Sequence, residues 1–282
     1  MLAMLLDSLA KQIFCQTFEI IVVDNDPVGG GAEVVAAVRQ RYPDLNLHYS
    51  VEPQKGISFA RNRAASLATG DFIAWIDDDE TAAEQWLMSL WVTLSTSDAD
   101  AVFGPVLPVF PPGSPSWSKR CGVFHRPRHV TGTVIDVREA RTSNALVKAS
   151  WLRSFASPFD IKLANTGGED YDFFARIKSQ GARLVWCDEA EVSEMVPFER
   201  QRVVWILERR LRGSVNYWRR HSEPPFQMAI KVSTGGVGFF IFGFAGVIAA
   251  PFGIHRAVRL WGRAMGGLGR AVAITGLRWK GY

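Results

Sequence analysis

Short apolar segments rich in β-branched residues recur along the first hundred residues. Each is followed by a polar loop and then by a segment with helical periodicity. The first of them, Phe18 to Val23, is almost continuously apolar and ends on Asp24-Asn25-Asp26. A continuous apolar strand is typical of a sheet that is buried on both faces. The alternation of strands and helices therefore limits the chain to an α/β architecture with a doubly wound sheet.

The same alternation predicts the other elements of this sheet. We expect strands at 18–23, 46–51, 71–76, 101–103, 142–147 and 183–186, and helices at 1–12, 32–40, 57–68, 83–94 and 170–180. Gly181 is expected to end the last of these helices. A Pro- and Gly-rich segment from Gly104 to Gly132 interrupts the pattern, and it is predicted to be a long irregular loop.

Composition excludes several classes of protein. Of the 282 residues, 48% are hydrophobic and 21% are charged, which is enough for a full core and is unlike disordered, collagen-like or coiled-coil chains. Three cysteines stand singly, so we expect neither a disulfide scaffold nor a structural zinc site, and a reducing compartment fits. The first residues do not have the pattern of a signal peptide. A dinucleotide-dependent oxidoreductase would need a G-x-G-x-x-G loop after a strand, which the chain lacks.

Carboxylates cluster at two places in the sequence. Asp77-Asp78-Asp79-Glu80 follows the predicted strand 71–76, and Glu169-Asp170-Tyr171-Asp172 comes directly after Gly167-Gly168 at a helix start. Ligands of open α/β sheets bind at the carboxyl ends of the strands, where the first cluster would suit a hard cation that shares a substrate diphosphate. Aspartates are also common in solvated turns. A carboxylate of the second cluster could cap the helix or act as a general base.

Four motifs in order resemble the family 2 glycosyltransferases, which have the GT-A fold. The motifs are Val23-Asp24-Asn25, Gly56-Ile57-Ser58-Phe59-Ala60-Arg61-Asn62, Ile76-Asp77-Asp78-Asp79 and Gly167-Gly168-Glu169-Asp170-Tyr171-Asp172. Each motif alone is weak, but the ordered set is specific. The segment from Asn144 to Arg212 is similar to bacterial exopolysaccharide enzymes of the succinoglycan type. The resemblance implies a mixed, doubly wound sheet flanked by helices.

The resemblance also implies roles for the donor-binding residues. Asp24 would contact the nucleotide base with assistance from Arg61. Asp77 and Asp79 would form the D-x-D pair, with Asp77 toward the ribose and Asp79 on a Mg²⁺ or Mn²⁺ ion. Asp78 would share the nucleotide-sugar-binding role. This set agrees with the chemistry above, because a metal offsets the charge of a departing diphosphate.

Asp170 would be the catalytic base that deprotonates the acceptor hydroxyl, and Glu169 beside it would belong to the nucleotide-sugar site. Arg209 and Arg212 share a face of a predicted helix and are candidates to approach the diphosphate, although a solvated or membrane-facing basic helix explains them equally well. Processive members of the family carry Gln-x-x-Arg-Trp, whereas Gln201-Arg202-Val203-Val204-Trp205 has valine in the arginine position. We therefore expect transfer of a single sugar.

Family members normally begin with a strand and loop ahead of the first helix, in the sheet centre near the nucleotide, whereas this sequence begins within that helix. Loss of this strand would leave backbone groups of its neighbours unpaired. The absence of this strand leaves open a second hypothesis, in which the protein is a catalytically inactive, membrane-attached relative that acts as a scaffold in polysaccharide assembly.

The formal net charge of +4 conceals two opposite parts. Residues 1–200 carry 19 Lys and Arg against 26 Asp and Glu, whereas residues 201–282 carry 13 against 2. The uncharged run 232–254 is long enough to span a bilayer as a helix, but its six glycines and Pro251 fit a re-entrant or interface-lying segment equally well.

Arginines 256, 259, 263 and 270 follow this run on one helical face, a pattern typical of binding to an anionic membrane surface. An ordinary surface helix packed on the catalytic domain is the weaker alternative. No nucleic-acid recognition motif accompanies the basic tail, so we expect no nucleic acid partner.

Three functional segments are therefore predicted: a nucleotide-sugar-binding half (1–103), an acceptor-binding and catalytic half (104–222), and a membrane-associated helical tail (223–282). The predicted activity is inverting transfer of one hexose from a UDP-type sugar to a lipid-linked oligosaccharide in bacterial exopolysaccharide biosynthesis. The predicted location is the cytoplasmic face of the inner membrane, and the expected partners are the nucleotide sugar, the lipid-linked acceptor and the membrane surface.

Overall fold

The computed structural model describes residues 1–220 and 225–274, and the chain divides into two compact units. The first unit contains Met1–Leu107 and Arg126–Glu194, and the second contains Pro108–His125 and the described residues from Met195 onward. The three segments predicted from the sequence (1–103, 104–222 and 223–282) are defined by function and not by compactness. They stay predictions.

The elements alternate as the apolar pattern predicts. The strands are β1 (Ile20–Asp24), β2 (Leu47–Val51), β3 (Phe72–Ile76), β4 (Glu80–Ala82), β5 (Ala101–Phe103), β6 (Val106–Val109), β7 (Asn144–Lys148), β8 (Leu184–Trp186) and β9 (Val192–Met195). The helices are α1 (Leu2–Leu9), α2 (Ala32–Arg41), α3 (Ile57–Leu67), α4 (Trp86–Thr96), α5 (Ser116–Arg120), α6 (Ala149–Arg153), α7 (Glu169–Ser179), α8 (Val203–Arg220), α9 (Pro225–Ala249) and α10 (Ile254–Ala273). One-turn 3₁₀ helices lie at Ile161–Leu163 and Ala250–Phe252.

The sheets of the first unit are mixed and flanked by helices, which confirms the predicted α/β class. Strands β1 and β2 pair in parallel. A four-stranded sheet has the order β3-β7-β5-β8, in which β7 is antiparallel to β3 and β5, and β8 is parallel to β5. All three residues of β5 and of β8 are buried, as expected for strands of a sheet that helices cover.

The sheet is interrupted between β1 and β3. Within residues 1–220 and 225–274, β1 pairs only with β2, and β3 pairs only with β7. Side chains of both strands, including Val22 and Ala74, nevertheless pack in the same apolar core. One edge of β1 and one edge of β3 thus have no paired strand among the residues that the structure describes. The additional strand implied by the family resemblance stays a prediction.

The segment from Gly104 to Gly132 is not irregular throughout, so that prediction is wrong. It contains β6 and α5, and its end runs along β8, where Gly132 N donates to Trp186 O and Trp186 N donates to Thr133 O, both at 2.9 Å. Strand β6 lies at the edge of a three-stranded sheet in the order β4-β9-β6. An edge strand tolerates a proline such as Pro108, which is why proline content misled the prediction.

Asn144 is a buried polar residue that joins four segments of the first unit. Its Nδ2 donates to the carbonyls of Pro105 (3.0 Å) and Ala190 (2.7 Å), and its Oδ1 accepts from Trp86 Nε1 (2.8 Å). Gly104 N donates to the Asn144 carbonyl at 3.2 Å. A buried amide whose donors and acceptor are all paired specifies one arrangement of the segments around it.

Substitution of Gly104 tests this packing. A Cβ at Gly104 would lie 2.2 Å from Ala190 O and 2.5 Å from Asn144 Nδ2, so Gly104→Ala is expected to lower the free energy of unfolding by about 2 kcal/mol or more. A Cβ at Gly213 in α8 meets nothing within 4 Å, and Gly213→Ala is expected to stabilise the helix slightly. Urea denaturation measures both variants, and equal midpoints would contradict the expectation.

Candidate active site

The end of β1 is shaped by Asp24. Its carboxylate accepts hydrogen bonds from Asp26 N (2.9 Å), Gly31 N (2.8 Å) and the Tyr49 hydroxyl (2.8 Å). Burial by itself would raise the pKa of Asp24, but the three donors outweigh it and lower the pKa below its usual value. Asp24 is therefore an ionised carboxylate that holds the loop between β1 and α2. Its contact with a nucleotide base stays a prediction.

Asn25 connects β1 to the start of α3. Its Oδ1 accepts from Gly56 N at 2.7 Å, and its Nδ2 donates to the carbonyls of Glu52 (2.9 Å) and Gln54 (2.7 Å). Gly56 has a φ of +138°, and a Cβ there would lie 2.6 Å from the Cβ of Ala164. The motif glycine is thus required both by its backbone conformation and by the close approach of the segment that precedes α7.

Helix α3 is fixed to the segment that leads into α7. Ser58 Oγ donates to Asp160 O at 2.9 Å, Asn62 Nδ2 donates to Phe159 O at 2.8 Å, and Asn62 Oδ1 accepts from Phe159 N at 2.9 Å. Positions four apart lie on the same face of a helix, so Ser58 and Asn62 hold this segment together. The helix thereby places Arg61 at a defined position between two distant parts of the chain.

Arg61 joins the two acidic clusters. Its Nη1 donates to Glu169 Oε1, and its Nη2 lies 3.6 Å from Asp77 Oδ1. The Arg61 side chain is 12% exposed and that of Glu169 is 4% exposed, so this ion pair is shielded from water. The guanidinium carbon lies 5.8 Å from the ring centroid of Phe159. The structure therefore brings together Asp77 and Glu169, which are predicted donor-site residues from separate motifs.

The acidic turn after β3 contains one buried carboxyl. Glu80 is 2% exposed, and its Oε2 accepts from Asp77 N at 3.0 Å. Desolvation, together with the nearby charge of Asp77, raises the pKa of Glu80 to about 9. Desolvation also raises the pKa of Asp77, with Arg61 opposing and Asp79 and Asp78 reinforcing the shift. Glu80 therefore acts as a neutral support of the turn at neutral pH, whereas Asp78 is exposed and Asp79 is partly exposed.

Arg126 is a second cation of this region, and sequence reasoning missed it. Its Nη1 donates to Ser143 Oγ at 2.9 Å, and its Nη2 lies 3.9 Å from Glu194 Oε2. Its charge lowers the pKa values of Asp77 and Glu80, against the larger effect of desolvation. Arg126 lies in the Pro- and Gly-rich segment without a recognisable motif, so no sequence signal pointed to it.

Asp170 lies in the first turn of α7. The helix follows Gly167 and Gly168, which have φ values of +72° and +88°, and the buried side chains Phe173 and Phe174 fix it to the core. Asp170 is partly exposed, and its Oδ1 accepts from Tyr171 N at 2.6 Å. Its neighbour Glu169 is buried against Arg61. One residue of the motif thus anchors the helix, and the next presents a carboxylate that solvent can reach.

The turn formed by Asp77, Asp78 and Asp79 has donor chemistry that fits a hard cation. Among the residues that the structure describes, no three His, Cys, Asp or Glu side chains form a complete metal-binding group. Mg²⁺ does not need one, because it is bound through one or two carboxylates and takes further oxygens from substrate phosphates and water. Asp79 and its neighbours would hold the ion on this basis.

Two predicted diphosphate ligands lie in the second unit, on α8. Arg209 is exposed, with its guanidinium carbon 5.1 Å from the ring centroid of Trp205, and Arg212 is partly exposed. Their approach to a diphosphate stays a prediction. Gln201, by contrast, is buried and hydrogen-bonded within the second unit. It is 2% exposed and bonds Ser118 Oγ, Ser114 Oγ and Val196 O at 2.8–3.0 Å.

The mixed sheet flanked by helices has the GT-A fold of a glycosyltransferase. Residues 1–154 match the model of the Glycosyl transferase family 2, and the chain belongs to this family. The predicted family resemblance is thereby confirmed. Members of this family generally use a divalent metal.

Individual relatives agree with this assignment. The chain is 33% identical over 239 residues to the succinoglycan biosynthesis protein ExoM of Rhizobium meliloti (strain 1021), covering 84% of this chain and 76% of that protein. It is 38% identical over 106 residues to the glucosyl-dolichyl phosphate glucuronosyltransferase of Haloferax volcanii, which is 35% of this chain and 32% of that enzyme.

Solved structures show the same fold. The crystal structure of S. aureus TarS 1-349 in complex with UDP superposes with a TM-score of 0.55 at 18% identity, covering 99% of this chain and 89% of that one. In the crystal structure of S. aureus TarS, the match spans 37% of that chain. At these identities the likeness concerns the fold alone.

Substitution of Arg61 tests whether its guanidinium holds the two acidic clusters together. Arg61→Met leaves Glu169 buried without this partner, so we expect the free energy of unfolding to fall by about 3 kcal/mol. Arg63 is exposed on the same helix, and Arg63→Met is expected to change the free energy of unfolding by less than about 0.5 kcal/mol. Chemical denaturation at pH 7 compares the two variants. Equal stabilities would show that the Arg61 ion pair does not organise the site.

Glu80 predicts a pH dependence of stability. Its folded pKa is raised, so the folded state binds more protons than the unfolded state above about pH 4.5, and stability falls as pH rises toward 9. Between pH 6 and 8 we expect the wild type to lose up to about 2.7 kcal/mol more than Glu80→Gln. Denaturation in EDTA measures this, with the exposed Glu84→Gln as the matched control. Parallel pH profiles for all three proteins would contradict the prediction.

Proposed function

We propose that this protein is an inverting, metal-dependent glycosyltransferase that moves one hexose from a UDP-type sugar to a lipid-linked oligosaccharide in bacterial exopolysaccharide biosynthesis. The observation that carries the proposal is the ion-pair network of Arg61. It links the acidic turn at Asp77 to Glu169, so donor-binding carboxylates and the candidate base Asp170 belong to one region. The similarity to ExoM supports the exopolysaccharide assignment.

The donor is assigned to the ends of β1 and β3. Asp24 contacts the base with assistance from Arg61, Asp77 faces the ribose with Asp78 beside it, and Asp79 holds the metal. The metal, when bound, supplies positive charge that offsets the charge developing on the diphosphate. An acidic site requires such an ion, because carboxylates alone would repel the phosphates of the donor.

Asp170 is the catalytic base of the proposed reaction. Its carboxylate takes the proton of one acceptor hydroxyl while that oxygen attacks the anomeric carbon of the donor hexose. The bond from the anomeric carbon to the β-phosphate oxygen breaks, and UDP departs with the electron pair. One bond forms on the face opposite the leaving group, so the configuration inverts. Val204 in the arginine position of the processive motif agrees with a single transfer.

The acceptor and location are assigned from the second unit. In the described part of the chain, one helical segment, Ala229–Phe252, is long and apolar enough to cross a membrane, and only 11% of its most apolar window is buried. A membrane-attached enzyme reaches an acceptor that is held in the bilayer. The cytoplasmic face of the inner membrane fits the free thiols of Cys15, Cys121 and Cys187.

Replacement of the base separates chemistry from donor binding. Asp170→Asn is expected to reduce transfer roughly thousandfold, because the amide cannot accept the proton. Its affinity for UDP-hexose with Mn²⁺, measured by isothermal titration, is expected to remain that of the wild type. Asp172 lies in the same turn and pairs with Arg176 at 2.9 Å, so Asp172→Asn is the matched control and is expected to retain transfer.

The assay uses radiolabelled UDP-hexoses with bacterial lipid extract as the acceptor source. Retained turnover in Asp170→Asn would remove Asp170 from the base role. A wild-type protein without metal-dependent UDP-hexose binding would contradict the whole proposal and favour the inactive scaffold.

A further inference from the structure

We infer that α9 and α10 form a monotopic hairpin that lies in one leaflet of an anionic bilayer and does not cross it. This inference rests on the membrane attachment in the proposed function, and it specifies the binding surface and its lipid partner. Three observations support it: an exposed apolar face, the close packing of the two helices, and their positive charge. A fourth argument is that a bilayer crossing by α9 would place the arginines of α10 in the hydrocarbon.

The exposed face of α9 is a continuous apolar stripe. Its side chains recur at helical spacing and are each more than half exposed: Val237 (59%), Phe240 (74%), Ile241 (59%), Phe244 (69%), Val247 (61%) and Ile248 (55%). Phe252, at the turn between the helices, is 71% exposed and extends the stripe. Soluble proteins rarely leave such a contiguous aromatic and aliphatic surface in water, so it requires an apolar partner.

Helices α9 and α10 pack closely against each other at glycines near both ends of the contact. A Cβ at Gly267 would lie 2.3 Å from Gly235 O, and a Cβ at Gly246 would lie 2.3 Å from Trp261 Nε1. Trp261 Nε1 also donates to Gly243 O at 3.2 Å. Glycines permit this close approach, and they fix the two helices as one antiparallel body.

Helix α10 is also fixed to α8 and to the segment around Cys121. Ser214 Oγ in α8 donates to Gly266 O at 2.8 Å, and a Cβ at Gly269 would lie 2.4 Å from the Cβ of Ser214. Arg259 Nε donates to Cys121 O at 2.9 Å. Helix α9 therefore cannot move across a bilayer without α10 and the polar helix α8 moving with it.

The charge of the hairpin fits anionic headgroups. Residues 225–274 contain five basic residues and no acidic residue. Arg256, Arg259 and Arg263 are exposed, and Arg263 lies over the Phe242 ring with its guanidinium carbon 5.7 Å from the centroid. Cations beside an apolar stripe are the arrangement with which interfacial helices bind anionic lipid.

A transmembrane orientation of α9 would place these cations in hydrocarbon. Antiparallel packing carries α10 to the same depth, and Arg256 to Arg270 cover about 21 Å of helix, most of the hydrocarbon thickness of roughly 30 Å. Each arginine near the bilayer centre is strongly unfavourable. With the hairpin flat in the interface, the apolar stripe reaches the acyl chains while the arginines stay at the headgroups.

Flotation with preformed vesicles tests the surface. The full-length protein is expected to float with vesicles of phosphatidylcholine and phosphatidylglycerol, and less with phosphatidylcholine alone. Phe240→Ser combined with Phe244→Ser is expected to weaken partitioning into the vesicles at least about tenfold. Burial of even one phenylalanine side chain in the acyl chains strengthens binding by more than this factor. The matched control, Val28→Ser with Val130→Ser, changes side chains that are 90% and 81% exposed in the first unit, and it should float normally.

Cysteine labelling in cells tests the orientation. Cys15 is exposed and the other two cysteines are buried, so Phe252→Cys in a Cys15→Ser background carries one accessible thiol at the hairpin turn. We expect no labelling by a membrane-impermeant maleimide in intact spheroplasts, and labelling after detergent solubilisation. Labelling in intact spheroplasts would show that the turn crosses the membrane and would overturn the inference.

Absence of flotation would also overturn the inference. A dimer in gel filtration that the paired serine substitutions dissociate would then identify a second copy of the chain as the partner of the stripe. Flotation needs no donor sugar, and UDP-hexose titration of the same variants is measured separately. A failure of the membrane inference is therefore distinguishable from a failure of the proposed transferase activity.

Discussion

The buried guanidinium of Arg61 is the interaction on which the site depends. Two acidic clusters, separated by almost a hundred positions in the sequence, are joined by this cation, which lies between Asp77 and Glu169. The rest of the glycine-to-asparagine motif at 56–62 serves that position: Gly56 permits the close approach to Ala164, and Ser58 and Asn62 bind the segment before α7. The motif at 56–62 therefore joins the turn after β3 to the segment before α7, in addition to its predicted role in ligand binding.

The uneven charge of the chain becomes physically meaningful in this arrangement. The proposed donor site lies in the acidic part and would suit anionic phosphates only together with a metal, and its turn packs on Glu80, which burial keeps neutral. The basic part contains an amphipathic helix and an apolar stripe that suit phospholipid. The net charge of +4 averages two parts of opposite charge, to which the proposed function assigns different tasks.

Much of this could be predicted from the sequence, because apolar runs report burial directly. The runs that became β1, β3 and β5, and the helices that became α3 and α7, are visible as periodicity, and the acidic motifs mark the strand and helix ends. The short strands β4, β6 and β9 could not be predicted, since Glu80 and Glu194 interrupt any apolar run in β4 and β9, and Pro108 in β6 is tolerated only because that strand lies at a sheet edge. Arg126 and the burial of Glu80 were also inaccessible, because both depend on residues distant in sequence.

We propose that the turn after β3 and the start of α7 form one donor and acceptor site held together by Arg61. A crystal structure with UDP and Mn²⁺, in which anomalous scattering locates the ion, would test this arrangement. We expect the manganese peak on the carboxylates of Asp77 to Asp79, with UDP against Asp24 and with Arg61 still bound to Glu169. A manganese ion or UDP bound elsewhere, or an Arg61 that has left Glu169 in the complex, would contradict it.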